Sequence, residues 1–339
     1  MTLHAHFVGS IGLDTVDEVF SEVGKLLGPN LKRIPDGEPG SRRGWITYQY
    51  PMLRASPYLA PTAEAAAGFP RLRIADGVKA EEIRFGELGY AREASASYEA
   101  LKRARARGDI PASVKLQVSL PTPFAVINAF AQRDQAKLIE APYEKAMLRE
   151  IDVICASIPH HDLSFQWDVC LEMVIWDGHH PAIKSFPGMD KAFADEFARI
   201  SKPIPDDVEL GFHLCYGDMD AKHIVEPVDT EKMVSLANLI SNAVTRPIAF
   251  MHLPVPIQRF DDAFYAPLAQ LNLKPGCELF LGLVHAQDGV EGTQKRFDLA
   301  KRHAGDFGIA TECGISRCRT PELVHGFLDT YAGIIKGSA

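Results

Sequence analysis

The chain is poor in basic charge. Its 36 lysines and arginines are outnumbered by 44 aspartates and glutamates, giving a net charge of −8. An acidic surface repels phosphate backbones, which argues against a nucleic-acid partner. Cysteine is scarce as well: six in 339 residues, at 155, 170, 215, 277, 313 and 318. That is too few for a disulfide scaffold, and the expectation is reduced thiols. Apolar runs are strand-length and broken by Asp, His or Arg, so no transmembrane span is expected. The opening MTLHAHFVGS lacks the basic region and long apolar stretch of a signal peptide. A cytoplasmic location follows as the expectation. The dinucleotide fingerprint is missing too, since VGSIGLDT carries glycines at 9 and 12 only, which weighs against a Rossmann sheet without excluding it. There is no tandem repeat and no evident domain boundary.

What the chain does contain is an alternation of short β-branched runs and longer segments of helical period. Strands are expected at 6–10, 31–35, 113–120, 163–169, 209–215, 248–253, 278–284 and 307–312. Several are continuous apolar runs, as parallel strands covered on both faces require. Helical stripes lie between them. In 229–244, Asp229 or Thr230 can cap a face formed by Met233, Leu236, Ala237, Ile240 and Val244. Segments 290–303 and 320–336 repeat the pattern. Eight such units predict one α/β domain over 1–339, a (β/α)8 barrel. The stretch 36–112 is too long for one unit. It reads as an elaborated loop containing ASPYLAPTAEAAAGFP, followed by a charged helix with a solvated Arg/Lys face.

Barrel enzymes place chemistry at the C-terminal ends of their strands. Here those ends carry Ser10, then Asp36 and Glu38, then Asp168, His213 and Cys215, His252, His285, and finally Glu312 and Cys313. In FHLCYGD, His213 and Cys215 are two residues apart and share one strand face. With Cys313 and a fourth group they suit a tetrahedral zinc site, because thiolate and imidazole ligands favour zinc over magnesium. A buried cysteine beside a hydrogen-bonded histidine is the plainer explanation of the tripeptide alone. Cys313 on a second strand end moves the balance toward metal, and Cys318 stands behind it as a reserve ligand.

The same segments resemble the catalytic barrel of cobalamin-independent methionine synthase, within the wider group of uroporphyrinogen-decarboxylase-like barrels. FVGSIG is similar to the family's opening Gly-Ser segment, implying that Ser10 contacts the polar end of a substrate. IPDGEPGSRR resembles the His-Gly-Glu segment, implying a substrate-amine role for Glu38. SFQWDVCLE is similar to the Gln-x-Asp-Glu-Pro strand, which makes Asp168 a substrate-binding carboxylate. FHLCYGD and ATECGISR resemble the two zinc segments, with Cys313 as the last ligand. The resemblance therefore implies a zinc cofactor and a small-molecule substrate.

Three departures qualify it. IAFMHLPVP offers His252 where the family places a zinc-binding Glu. LVHAQDG puts His285 in place of an Asp and Gln287 in place of a catalytic His. The family's separate folate-binding half has no counterpart here. His252 is thus expected either as the fourth zinc ligand, alongside His213, Cys215 and Cys313, or as a substrate contact. Arg42 and Arg43 could orient a substrate carboxylate, although exposed ion pairs explain such residues equally well. Asp168 could instead cap the next helix. Two chemistries are expected to compete. One is methyl or alkyl transfer to a zinc-activated thiol, from a small methyl compound or a methyl-donor protein. The other is a zinc lyase or hydrolase, such as a retro-aldol formaldehyde release, in which His285 or Asp168 moves a proton. The segment HLPVPIQRFDDAFYAPL could wall an apolar pocket or pack a barrel helix.

Overall fold

Eight short parallel strands surround a filled interior. The computed structural model describes residues 2–66, 68–218 and 221–338. In chain order the strands are β1 (Ala5–His6), β2 (Arg33–Pro35), β3 (Leu59–Ala66), β4 (Phe69–Ile74) and β5 (Lys115–Pro121). They continue with β6 (Leu163–Val169), β7 (Glu209–Leu214), β8 (Phe250–Pro254), β9 (Glu278–Val284) and β10 (Gly308–Thr311). All except β3 and β4 form one sheet in the order β1-β10-β9-β8-β7-β6-β5-β2. Its outer strands meet through parallel bridges, Ala5 to Leu31 and Ser10 to Gly37. The sheet thereby curls into the expected (β/α)8 barrel. Every expected strand is present; 163–169 and 278–284 match to the residue, and the others have shifted ends. The first differs most: its ladder covers only Ala5–His6, and Ser10 and Ile11 are held by isolated bridges.

Burial explains why these runs are strands. All seven positions of β6 and all five of β8 are buried, as parallel strands with helices outside and side chains inside must be. The helices follow their stripes. Glu231–Ala243 buries Met233, Leu236, Ala237 and Ile240, and the Asp229 carboxylate accepts from the Glu231 N–H at 2.8 Å. Gly289–Ala300 and Pro321–Gly337 occupy the other two expected segments. The segment after β8 forms a short helix, Asp262–Tyr265, with Phe264 and Tyr265 fully buried. Its aromatics serve packing. Among the described residues no helix is long and apolar enough to cross a membrane.

The insertion after β2 corrects the sequence reading. Residues expected to be loop form an antiparallel hairpin, β3 against β4. Pro61 and Pro70 hide it in the sequence, since proline is tolerated only where no ladder N–H is needed, and a two-stranded sheet is all edge. The charged helix is Tyr90–Arg107. Its Arg/Lys face is solvated as expected at Arg92, Lys102, Arg103 and Arg107; Arg105 is the exception and binds both oxygens of Asp162 at 2.8 and 2.9 Å.

The N-terminal end of the barrel is closed by charge. Arg33 is 2% exposed, lies 3.1 Å from Glu209 and 3.2 Å from Glu278, and stacks on Phe250. Lys115 pairs with Glu209 and Lys32 with Glu278.

Candidate metal centre and substrate mouth

At the C-terminal mouth, the ends of β7 and β10 bring three candidate ligands together. One donor atom each from His213, Cys215 and Cys313 lies within 4.8 Å of the others. The two sulfurs are 3.6 Å apart. A disulfide holds sulfurs at about 2.05 Å, whereas two thiolates on a tetrahedral zinc at about 2.3 Å from the metal are about 3.8 Å apart. The spacing fits a shared metal ion. His213 Nε2 is buried and has no hydrogen-bond partner, a costly state that a metal would relieve. Burial holds the His213 imidazole well below its ordinary pKa, and a neutral ring is what a metal needs. On donor type and spacing the three residues fit zinc. Cys318 is exposed, on a residue with φ 51°, and stands outside this group.

His252 does not join the cluster. β7 and β8 pair so that His213 and His252 are direct neighbours, and their Nδ1 atoms are 2.7 Å apart. The other nitrogen of His252, Nε2, lies 3.0 Å from the Thr311 carbonyl. Both ring nitrogens are thus occupied. Burial pushes the His252 pKa down to about 3.

Across the mouth from the thiols sits a pair of carboxylates. Asp168, at the end of β6, accepts from Gln166 Nε2 at 2.8 Å and from Trp45 Nε1 at 3.2 Å. It caps no helix; the following helix, Leu171–Asp177, has Cys170 at its N-cap. Glu38 stands on a backbone of φ 51°, a strained conformation for a non-glycine residue that concentrates at functional sites. A side chain on Gly9 would approach Glu38 Oε1 to 2.7 Å, so that glycine makes room for the carboxylate. Burial raises Glu38 to about 8, aided by the charges of Asp168 and Asp36 and opposed by Arg42 and Arg317. Burial likewise raises Asp168 to about 7, against hydrogen bonds from Gln166 and Trp45.

Ser10 joins the two halves of the mouth. Its carbonyl accepts from Ile315 N at 2.7 Å, beside Cys313, while the next residue donates to Gly37 O at 2.9 Å, beside Glu38. Arg42 pairs with Asp36 at 2.8 Å, and Asp36 accepts the Glu38 N–H at 2.9 Å. Arg42 therefore braces the loop that carries Glu38. Arg43 lies further out, on Leu13 O and Asp14. His285 sits with Nε2 2.9 Å from Val255 O and Nδ1 3.4 Å from Glu312. Glu312 also takes His223 Nε2 at 2.8 Å. Two carboxylates, Glu226 and Glu312, raise His223 to about 10 against the opposing effect of burial.

Sequence reasoning missed Trp45, His223 and Arg317. Arg317 lies 3.7 Å from Cys313 Sγ and 3.3 Å from Asp218, and its charge also acts on Glu38 and Asp168. Its place four residues after Cys313 in a short loop was the available signal. Trp45 comes from the long insertion, which gives no spacing rule.

No family profile and no curated protein matches this chain. Among solved structures, a B12-independent methionine synthase from Shewanella sp. W3-18-1, in complex with selenomethionine, is similar in fold. It has a TM-score of 0.62 and 12% identity over 100% of this chain and 98% of that one. A methyltransferase from Methanosarcina mazei is similar at a TM-score of 0.53 and 11% identity, over 100% and 95% of the two chains. The barrel is shared.

Proposed function

We propose that the chain is a zinc-dependent transferase that moves a methyl or other alkyl group onto the sulfur of a small amino thiol of homocysteine type. The observation that carries this reading is the division of one mouth into a thiol–imidazole end and a carboxylate end. His213, Cys215 and Cys313 form the first; Glu38 and Asp168 form the second. An acceptor with a thiol and an ammonium group matches both. Zinc, when bound, lowers the pKa of the acceptor thiol so that it reacts as the thiolate. The fold likeness to a methionine synthase and a methyltransferase supports the same chemistry.

The protein's own residues do the rest. Burial favours the protonated forms of Asp168 and Glu38; the acceptor ammonium favours their ionised forms, with the protons released to solvent, and the pairing fixes the orientation of its sulfur. Gln166 and Trp45 aim Asp168, and Asp36 with Arg42 aims Glu38. Ser10 lines the polar end. The alkyl donor on this reading is a small methyl compound or a methyl-carrying protein.

Proton transfer by His285, which a lyase would use, gains no support, since both of its ring nitrogens face protein partners. The test is a thermal-shift survey of zinc-loaded protein with homocysteine, its hydroxyl analogue and hydroxylated aromatics. Stabilisation by the amino thiol, lost in Glu38→Gln and Asp168→Asn, is expected. Stabilisation by the aromatics alone contradicts the reading.

A further inference from the structure

The imidazole pair beneath the thiols has a direction. Thr311 O can only accept, so the His252 Nε2 facing it at 3.0 Å carries a hydrogen. A buried neutral ring then has a bare Nδ1. That Nδ1 lies 2.7 Å from His213 Nδ1, which must therefore be the donor. His213 in turn is left with a bare Nε2, the atom without a protein partner. The backbone carbonyl at the end of β10 thus dictates, through two rings, which nitrogen of His213 holds a lone pair.

We propose that His252 is a positioning residue, which fixes the His213 tautomer so that Nε2 faces the metal, and that the metal has three protein ligands and one open position. The inference rests on the metal reading above. It removes a difficulty of a four-ligand site, in which no place remains for an acceptor sulfur unless a ligand leaves. A histidine ligand whose second nitrogen is held by a hydrogen-bond partner is the usual arrangement around zinc. Here the partner is a second histidine, made adjacent by the β7–β8 register.

The test begins with zinc K-edge absorption on the unmodified, zinc-loaded protein. Two sulfurs, one imidazole and one light ligand are expected; two imidazoles overturn the proposal while leaving the metal reading intact. Failure to bind zinc at all overturns both. In the metal-free protein, ¹⁵N NMR of the His213 ring should show a protonated Nδ1 and a bare Nε2, and the opposite tautomer overturns the proposal. His252→Phe should weaken zinc binding about 10- to 100-fold in a chelator competition. His252→Gln, which offers an acceptor toward His213 and a donor toward Thr311, should restore most of that loss. Equal affinity of Phe, Gln and parent proteins also overturns it.

Discussion

The two ends of the barrel are built from the same strands with opposite charge logic. At the N-terminal end, Arg33, Lys32 and Lys115 meet Glu209 and Glu278, and both carboxylates have cationic partners. At the C-terminal end, His213 Nε2 has no partner, two thiols face each other, and Glu38 and Asp168 titrate near neutrality. One end pairs its charges and closes. The other leaves several polar groups unsatisfied by the protein itself, the condition of a site awaiting a ligand.

The sharpest way to break this comparison is to damage the closed end. Arg33→Met removes the buried partner of Glu209 and Glu278, which keep Lys115 and Lys32, and should cost about 1–3 kcal/mol of unfolding free energy in urea. Zinc content of the folded fraction should not change. Loss of zinc with retained stability would mean that the two ends are not independent.

The second test damages the open end. Cys215→Ser and Cys313→Ser should each abolish most zinc binding, because a neutral hydroxyl replaces a thiolate. Cys155→Ser and Cys277→Ser should leave metal content unchanged. Equal behaviour of all four would remove the ligand assignment.

Sequence and structure agree where a simple period governs. His213 and Cys215 share a face because strand side chains alternate, and Cys313 falls on a strand end. The role of His252 depends on register across β7 and β8, which one strand's sequence does not carry. From type and position alone His252 resembled a fourth ligand. Trp45 reaches Asp168 from an insertion whose course is set by packing, and the β3–β4 hairpin lay behind its prolines and alanines.

Asp168 gives a smaller effect, in pH. Its folded pKa of about 7 lies above the ordinary 3.8. Between those values the unfolded chain ionises while the folded one stays protonated, so rising pH destabilises the metal-free protein across that window. Asp168→Asn should flatten this slope between pH 4 and pH 7. A slope identical to the parent's would show that Asp168 is ionised in the folded protein at low pH. The smallest effect on zinc content is expected from Cys318→Ser, which lies outside the ligand group and should leave it unchanged.

The proposed function requires a metal at the open end. Elemental analysis of protein purified under reducing conditions, before and after exposure to zinc and removal of excess, measures this directly. One zinc per chain is predicted. No zinc as purified, together with none retained after loading, would contradict the central claim.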